Sequence, residues 1–164
     1  KEIEANSLTY HNLIFLSKDL INKQKEFDKL LGCSSIDWEG FVFEPEIEPE
    51  GLYAEMQEIL LGNYPFSVDF YPNLSLNELK EYYNNPYYMP KEYPARCISP
   101  WVVAYIFPDG EVRPCLNFNY SYGNIKEHNF IELWNNEKAV SFRRTLKTNQ
   151  IFPVCVRCTE LYRY

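Results

Sequence analysis

Between residues 17 and 32 the apolar positions Leu20, Ile21, Phe27, Leu30 and Leu31 fall on one face of a 3.6-residue period, with Lys, Asp and Glu on the other. This predicts an amphipathic helix capped by Ser17 and closed by Gly32. The apolar and aromatic run 8–16, LTYHNLIFL, predicts a strand before it. A second unit follows, with strand-like 36–43 (IDWEGFVF), the acidic proline-containing loop EPEIEPEG, and a short helix over 52–61 ended by Gly62. Residues 66–71 and 75–83 make a third strand and helix. Three βα units in series predict a parallel sheet with right-handed crossovers. Three strands alone leave edges that invite pairing, so residues 1–85 read as a segment of a larger (βα) barrel or sheet.

Pro86, Pro90, Pro94 and Pro100 then interrupt any regular element, because each removes a backbone donor and fixes φ. Residues 86–96 are therefore expected to be a linker. After it, 101–107 is apolar throughout, Pro108, Asp109 and Gly110 form a turn, and 111–116 returns, which predicts a β-hairpin. Gly123 and Asn124 mark another turn. Asn129 with Glu132 resembles a capping pair for a helix through Trp134, Asn135 and Asn136 interrupt it, and helical spacing resumes over 137–146. The chain closes in a loop, FPVCVRC. The expected fold class is α/β, a partial parallel (βα) barrel segment over 1–85, followed by a small α+β unit over 97–164 built of a hairpin and helices.

Charge separates the same two parts. The chain carries 16 basic and 23 acidic side chains, net −7; residues 1–95 are net −10, whereas residues 96–164 hold all six arginines and are net +3. So acidic a chain is a poor ligand for nucleic acid, and none is expected as a partner. It contains no apolar run of the roughly 20 residues a membrane span needs, and KEIEANS is no signal peptide, so the segment reads as soluble and cytoplasmic. Arg113, Arg143, Arg144 and Arg157 could offset a buried anionic site, or could form a surface that attracts an acidic partner.

The cysteines supply the candidate chemistry. Cys97, Cys115, Cys155 and Cys158 all lie in the cationic part, and Cys33 lies far upstream. A disulfide framework suits small secreted domains without a core and is not expected here. Cys155 and Cys158 form a CxxC turn that points two sulfurs at one centre. Its place in a proline-containing loop near the C-terminus does not suit a thioredoxin-like pair. With a two-residue hairpin loop, Cys115 would sit opposite Ala104. The seven residues from there back to Cys97 could extend about 23 Å, so the chain near Pro100 must fold back for all four to meet. Spacing alone leaves a four-thiolate zinc site and an iron–sulfur cluster as open alternatives. His11 and His128 lie in different segments and read as surface or structural residues. Cys33 reads as a packed thiol, Glu44, Glu46, Glu48 and Glu50 as a solvated loop, and Trp101, Tyr105, Phe107, Trp134 and Phe142 as core.

The run RCISPWVVAYIFPDGEVRPC, followed by YGNIKEHNFIELWNNEKAVSFRRTL and FPVCVRC, resembles the auxiliary-cluster region, called SPASM or twitch, at the C-terminus of many radical S-adenosylmethionine (radical SAM) enzymes. The DG turn, the proline before Cys115, the GN turn, the Trp-containing helix, an arginine on the next helix and the closing CxxC occur in the family's order. The three βα units fit the later half of the partial barrel that precedes this region.

That resemblance implies one auxiliary [4Fe-4S] cluster on Cys97, Cys115, Cys155 and Cys158, serving electron transfer or substrate positioning; zinc is the alternative metal. It also implies S-adenosylmethionine and a second [4Fe-4S] cluster on a missing N-terminal barrel half. Further partners would be an electron-transfer protein such as a flavodoxin or ferredoxin, and a peptide or small-molecule substrate. The departures are specific. Full SPASM domains carry about seven cysteines for two clusters, with one beyond the CxxC where Tyr164 stands here, so the twitch form is closer. The CxxxCxxC motif and a glycine-rich SAM-binding segment are absent from these residues. The parent protein is expected to be a radical SAM oxidoreductase or modifying enzyme, and this chain is expected to be inactive alone.

Overall fold

The computed structural model describes residues 4–89, 91, 96–116 and 118–163. Pro90 and Pro94 of the expected linker, and Tyr164, lie outside the described residues. The fold is mixed α/β, with small sheets and several helices, and a partial barrel is not established.

The first sheet has two parallel strands, β1 (Ser7–His11) and β2 (Ser67–Tyr71), in register from Ser7 opposite Ser67 to His11 opposite Tyr71. Between them run α1 (Lys18–Leu31) and α2 (Pro49–Leu61), and α3 (Leu76–Asn84) follows β2. The caps are those the residue types favour. The Ser17 hydroxyl accepts from the Leu20 N–H, and Gly32 ends α1 in the left-handed region at φ 65°. Ser75 and Glu78 form a reciprocal capping box on α3. Glu48 caps α2 from the acidic loop, with Pro49 in the first turn.

The expected middle strand is corrected. Residues Ile36–Phe41 form a 3-10 helix, and only Val42 pairs, through an isolated parallel bridge to Leu16. Trp38 is 2% exposed, so the bulky apolar run is satisfied by dropping one indole into the core rather than by laying a strand beside β1. Two strands therefore pair where three were expected.

The second sheet is a three-stranded antiparallel ladder: β3 (Tyr105–Ile106), β4 (Glu111–Arg113) and β5 (Gly123–Asn124). Two expectations change here. Ser99–Val102 is a helical turn, α4, with Pro100 in its first turn, so the apolar run opens as helix before becoming strand. The Phe107 N–H bonds the Glu111 carbonyl, making the loop three residues, Pro108 to Gly110, with Gly110 at φ 94°. The register places Arg113 opposite Tyr105, which shifts Cys115 one residue from its expected alignment with Ala104. Gly123 and Asn124 form the third strand instead of a turn. At Gly123, φ is 132° and a Cβ would lie 2.6 Å from a Leu133 methyl, so only glycine fits.

Helices α5 (Phe130–Asn135) and α6 (Glu137–Asn149) follow, each opened by an asparagine side chain on a backbone N–H, Asn129 to Glu132 and Asn136 to Ala139. The closing FPVCVRC segment is not an irregular loop, because Pro153–Arg157 and Thr159–Tyr162 form successive 3-10 helices. The larger core joins Leu16, Leu20 and Trp38 to Phe118, Phe142 and Phe152, so residues from both sides of the expected linker share it. A smaller core around Phe15, Met56 and Leu79 lies between α2 and α3. No helix among the described residues is long and apolar enough to cross a membrane.

Candidate iron–sulfur site

All five cysteines are unbridged. Each of the four clustered in the C-terminal part packs against the larger core, and three chain stretches deliver them. Cys97 enters just before α4, held by its N–H on the Gln150 carbonyl at the end of α6 (3.0 Å). That bond supplies the fold-back the sequence demands near Pro100. Cys115 follows β4, and Cys155 and Cys158 lie in and at the end of the 3-10 helix Pro153–Arg157. The Cys155 N–H bonds the Phe152 carbonyl (2.9 Å) and the Cys158 N–H the Cys155 carbonyl (3.0 Å), which winds the CxxC into a tight turn.

Electrostatics places these sulfurs in one environment. Burial is the first cause that pushes the Cys155 thiol well above its ordinary range, and the neighbouring Cys158, Cys97 and Cys115 push it further. Cys158 is pushed up to about 11, again mainly by burial, with Cys97 and Glu160 adding to it. Burial likewise raises Cys97. Backbone hydrogen bonds oppose these shifts, from Ser99 on Cys97, Phe152 on Cys155, and Glu160 and Leu161 on Cys158. Cys97 and Cys158 each precede a helical turn, and backbone N–H groups of that turn reach back to the sulfur. Hydrogen bonds of this kind stabilise a thiolate and tune whatever it ligates.

A pH dependence follows for the metal-free chain. Thiols whose folded pKa is raised contribute stability that is present below their unfolded pKa, near 9, and lost as pH rises through the folded value near 11. The urea midpoint of the metal-free protein should therefore fall steadily from pH 9 to 11. A midpoint that is flat across that window would contradict the burial of these thiols.

Of the four arginines considered from sequence, only Arg157 is buried, at 1% exposure. It lies inside the CxxC and points away from the sulfurs. Nη2 donates to the carbonyls of Tyr82 (2.7 Å) and Asn85 (2.8 Å) at the C-terminal end of α3, and Nη1 to that of Tyr88 (2.6 Å). Its guanidinium lies 4.1 Å from the Tyr82 ring centroid and 4.9 Å from that of Phe15. It thus rivets the cysteine turn to the smaller core. The charge and motif pattern made Arg157 a candidate counter-charge, but the three carbonyls it serves carry no sequence signal. Arg113 pairs with Glu111 over Phe107, Arg143 lies over Trp134, and Arg144 is exposed.

The remaining candidates divide. His11 and His128 are exposed, and Glu44, Glu46, Glu48 and Glu50 are solvated as expected. Cys33 is half-buried against the larger core with its thiol pushed up to about 11, chiefly by burial, which fits a packed thiol. Among the residues expected in the core, Phe142 is buried, but Tyr105, Phe107 and Trp134 are half-buried and Trp101 is 40% exposed. Among the described residues, no three His, Cys, Asp or Glu side chains close on one point tightly enough to hold a single metal ion.

Comparison with known proteins bears on the segment that carries these four thiols. Residues 97–159 match the SPASM family, described as an iron-sulfur cluster-binding domain, so the resemblance read from the cysteine run holds over that segment. The chain is also similar to the tungsten-containing aldehyde ferredoxin oxidoreductase cofactor-modifying protein of Pyrococcus furiosus. The two are 33% identical over 73 residues, covering 35% of this chain and 20% of the relative. The chain thus spans about a fifth of that relative's length. No solved structure matches it.

Proposed function

We propose that this chain is the iron–sulfur-binding C-terminal portion of a radical SAM enzyme, with Cys97, Cys115, Cys155 and Cys158 holding an auxiliary [4Fe-4S] cluster. The observation that carries the reading is the shared environment of these four thiols, drawn from three separate stretches, within the segment that matches an iron–sulfur family. The donor set fits the group, since four soft thiolates and no hard ligand select iron–sulfur or zinc. Zinc would draw its sulfurs in to about 2.3 Å from one point.

With all four positions taken by protein, the group would supply one-electron chemistry and no open iron for substrate. This chain's own residues make the surroundings. The core keeps water from Cys155, the backbone N–H groups at Cys97 and Cys158 hold charge on sulfur, and Arg157 fixes the CxxC turn in place. The SAM-cleaving site, S-adenosylmethionine and the barrel half that would carry them belong to the parent enzyme outside these residues. Its substrate would be a peptide or a small molecule, and cofactor modification, the activity named for the Pyrococcus relative, is one such role.

Anaerobic purification and reconstitution, followed by iron and acid-labile sulfide assay, should find about four of each per chain and a brown colour. One zinc per chain with no sulfide under the same conditions would overturn the assignment.

A further inference from the structure

Among the described residues, five buried side-chain polar atoms find no hydrogen-bond partner, and two of them are hydroxyls beside the cysteines, Ser99 Oγ and Tyr122 Oη. Burying a hydroxyl without a partner costs free energy, so native cores rarely hold one without a reason. The other three atoms belong to Gln24, Trp38 and Arg157, and both Gln24 and Arg157 are anchored through their remaining nitrogens.

Neither hydroxyl reaches water. Ser99 opens α4 at 1% exposure. Its N–H reaches back to the Cys97 sulfur and its carbonyl accepts from the Val103 N–H (2.8 Å), so the main chain is committed and the hydroxyl alone is left over. At the start of a helix there is no helical carbonyl four residues back to take it. Tyr122 is 2% exposed and held on both sides, its N–H on the Val112 carbonyl (2.8 Å) and its carbonyl accepting from Asn136 Nδ2 (2.6 Å). Val112 lies on β4, so the first of these bonds sets Tyr122 beside the strand that delivers Cys115. Tyr120 packs edge-on against its ring, centroids 6.2 Å apart. Burial is the first cause that keeps the Tyr122 hydroxyl protonated; Arg143 opposes it and Cys115 reinforces it, which makes the group a donor within electrostatic reach of a sulfur. Tyr105 also senses Cys115, but its hydroxyl engages Glu160.

We propose that the Ser99 and Tyr122 hydroxyls donate hydrogen bonds to sulfur in the group that Cys97, Cys115, Cys155 and Cys158 hold, one from the Cys97 side and one from the Cys115 side. The proposal rests on the iron–sulfur reading of those cysteines. Both are positioning residues that ligate nothing. A donor aimed at anionic sulfur gains strength as negative charge on that sulfur grows, so the two hydroxyls favour the reduced form of the group and raise its reduction potential.

Tyr122→Phe and Ser99→Ala test this in two states of the chain. In the metal-free chain each removes an unpaired buried group, so the urea midpoint should hold or rise. After anaerobic loading to native iron and sulfide content, a redox titration followed by visible absorbance should find each variant reduced about tenfold less readily, about 59 mV lower for one electron. Tyr120→Phe is the contrast. Its hydroxyl donates to the Lys138 carbonyl (3.0 Å), so its loss should lower the metal-free midpoint and leave the potential unmoved. An unmoved potential in Tyr122→Phe or Ser99→Ala overturns the role of that hydroxyl, and so does a metal-free midpoint that falls, since the group would then have had a partner already. A native chain that takes up no iron overturns the four-cysteine reading itself, and the proposal falls with it.

Discussion

Cys155→Ser should leave the anaerobically reconstituted chain with iron and sulfide reduced about tenfold or more, while Cys33→Ser should leave both unchanged. Serine is nearly the size of cysteine, but its hydroxyl stays protonated and hard where the site needs a soft anionic donor. Cys155 is the most enclosed of the four and the one that senses the other three, so no water or nearby carboxylate can take its place. Cys33 packs on the same core but adds to the charge environment of none of Cys97, Cys155 and Cys158. Metal and sulfide analysis of the two variants beside the wild type decides the matter. Full iron in Cys155→Ser, or loss of iron in Cys33→Ser, would put the ligand set wrong.

Arg157→Met should lower stability by about 3 kcal/mol, because it withdraws a charged donor from the carbonyls of Tyr82, Asn85 and Tyr88 and removes the buried Tyr82 carbonyl's bond to the guanidinium. Methionine keeps most of the volume between Phe15 and Tyr82, so the loss reports hydrogen bonds more than packing. Arg157→Lys should recover only part of it, since an ammonium is a point charge and cannot span Tyr82, Asn85 and Tyr88 as a planar fork does. Urea unfolding of the metal-free proteins measures this. With a slope of about 1–3 kcal/mol/M, the midpoint should fall by one molar or more in Arg157→Met. A change below about 1 kcal/mol would mean that water replaces the guanidinium and that the rivet is dispensable.

The helices were the most legible part of the fold. Ser17 and Gly32 bracket α1, and Asn129 and Asn136 open α5 and α6, because capping is settled within three or four residues of the cap itself. Short apolar runs were not legible in the same way. Residues 36–43 and 101–107 satisfy a strand pattern, yet each opens as a helical turn, one around the buried Trp38 and the other at Ser99 and Pro100. A run of four to eight apolar residues says that it will be buried, not in which conformation. Gly123 and Asn124 carry turn residues but pair with β4, and the glycine is needed because Leu133 lies against it from a later helix.

By itself the amino-acid sequence supplied the candidate donors, since thiolate chemistry belongs to the residue type, and it determined helix ends such as those of α1, since caps act locally. The tertiary structure alone decided that Cys97, Cys115, Cys155 and Cys158 all pack against one core, that Arg157 turns to the end of α3, and that Trp101 stays at the surface. Those outcomes depend on contacts between residues far apart in the chain. Their energy comes from filling one shared core, and no local pattern of side chains encodes how that core closes.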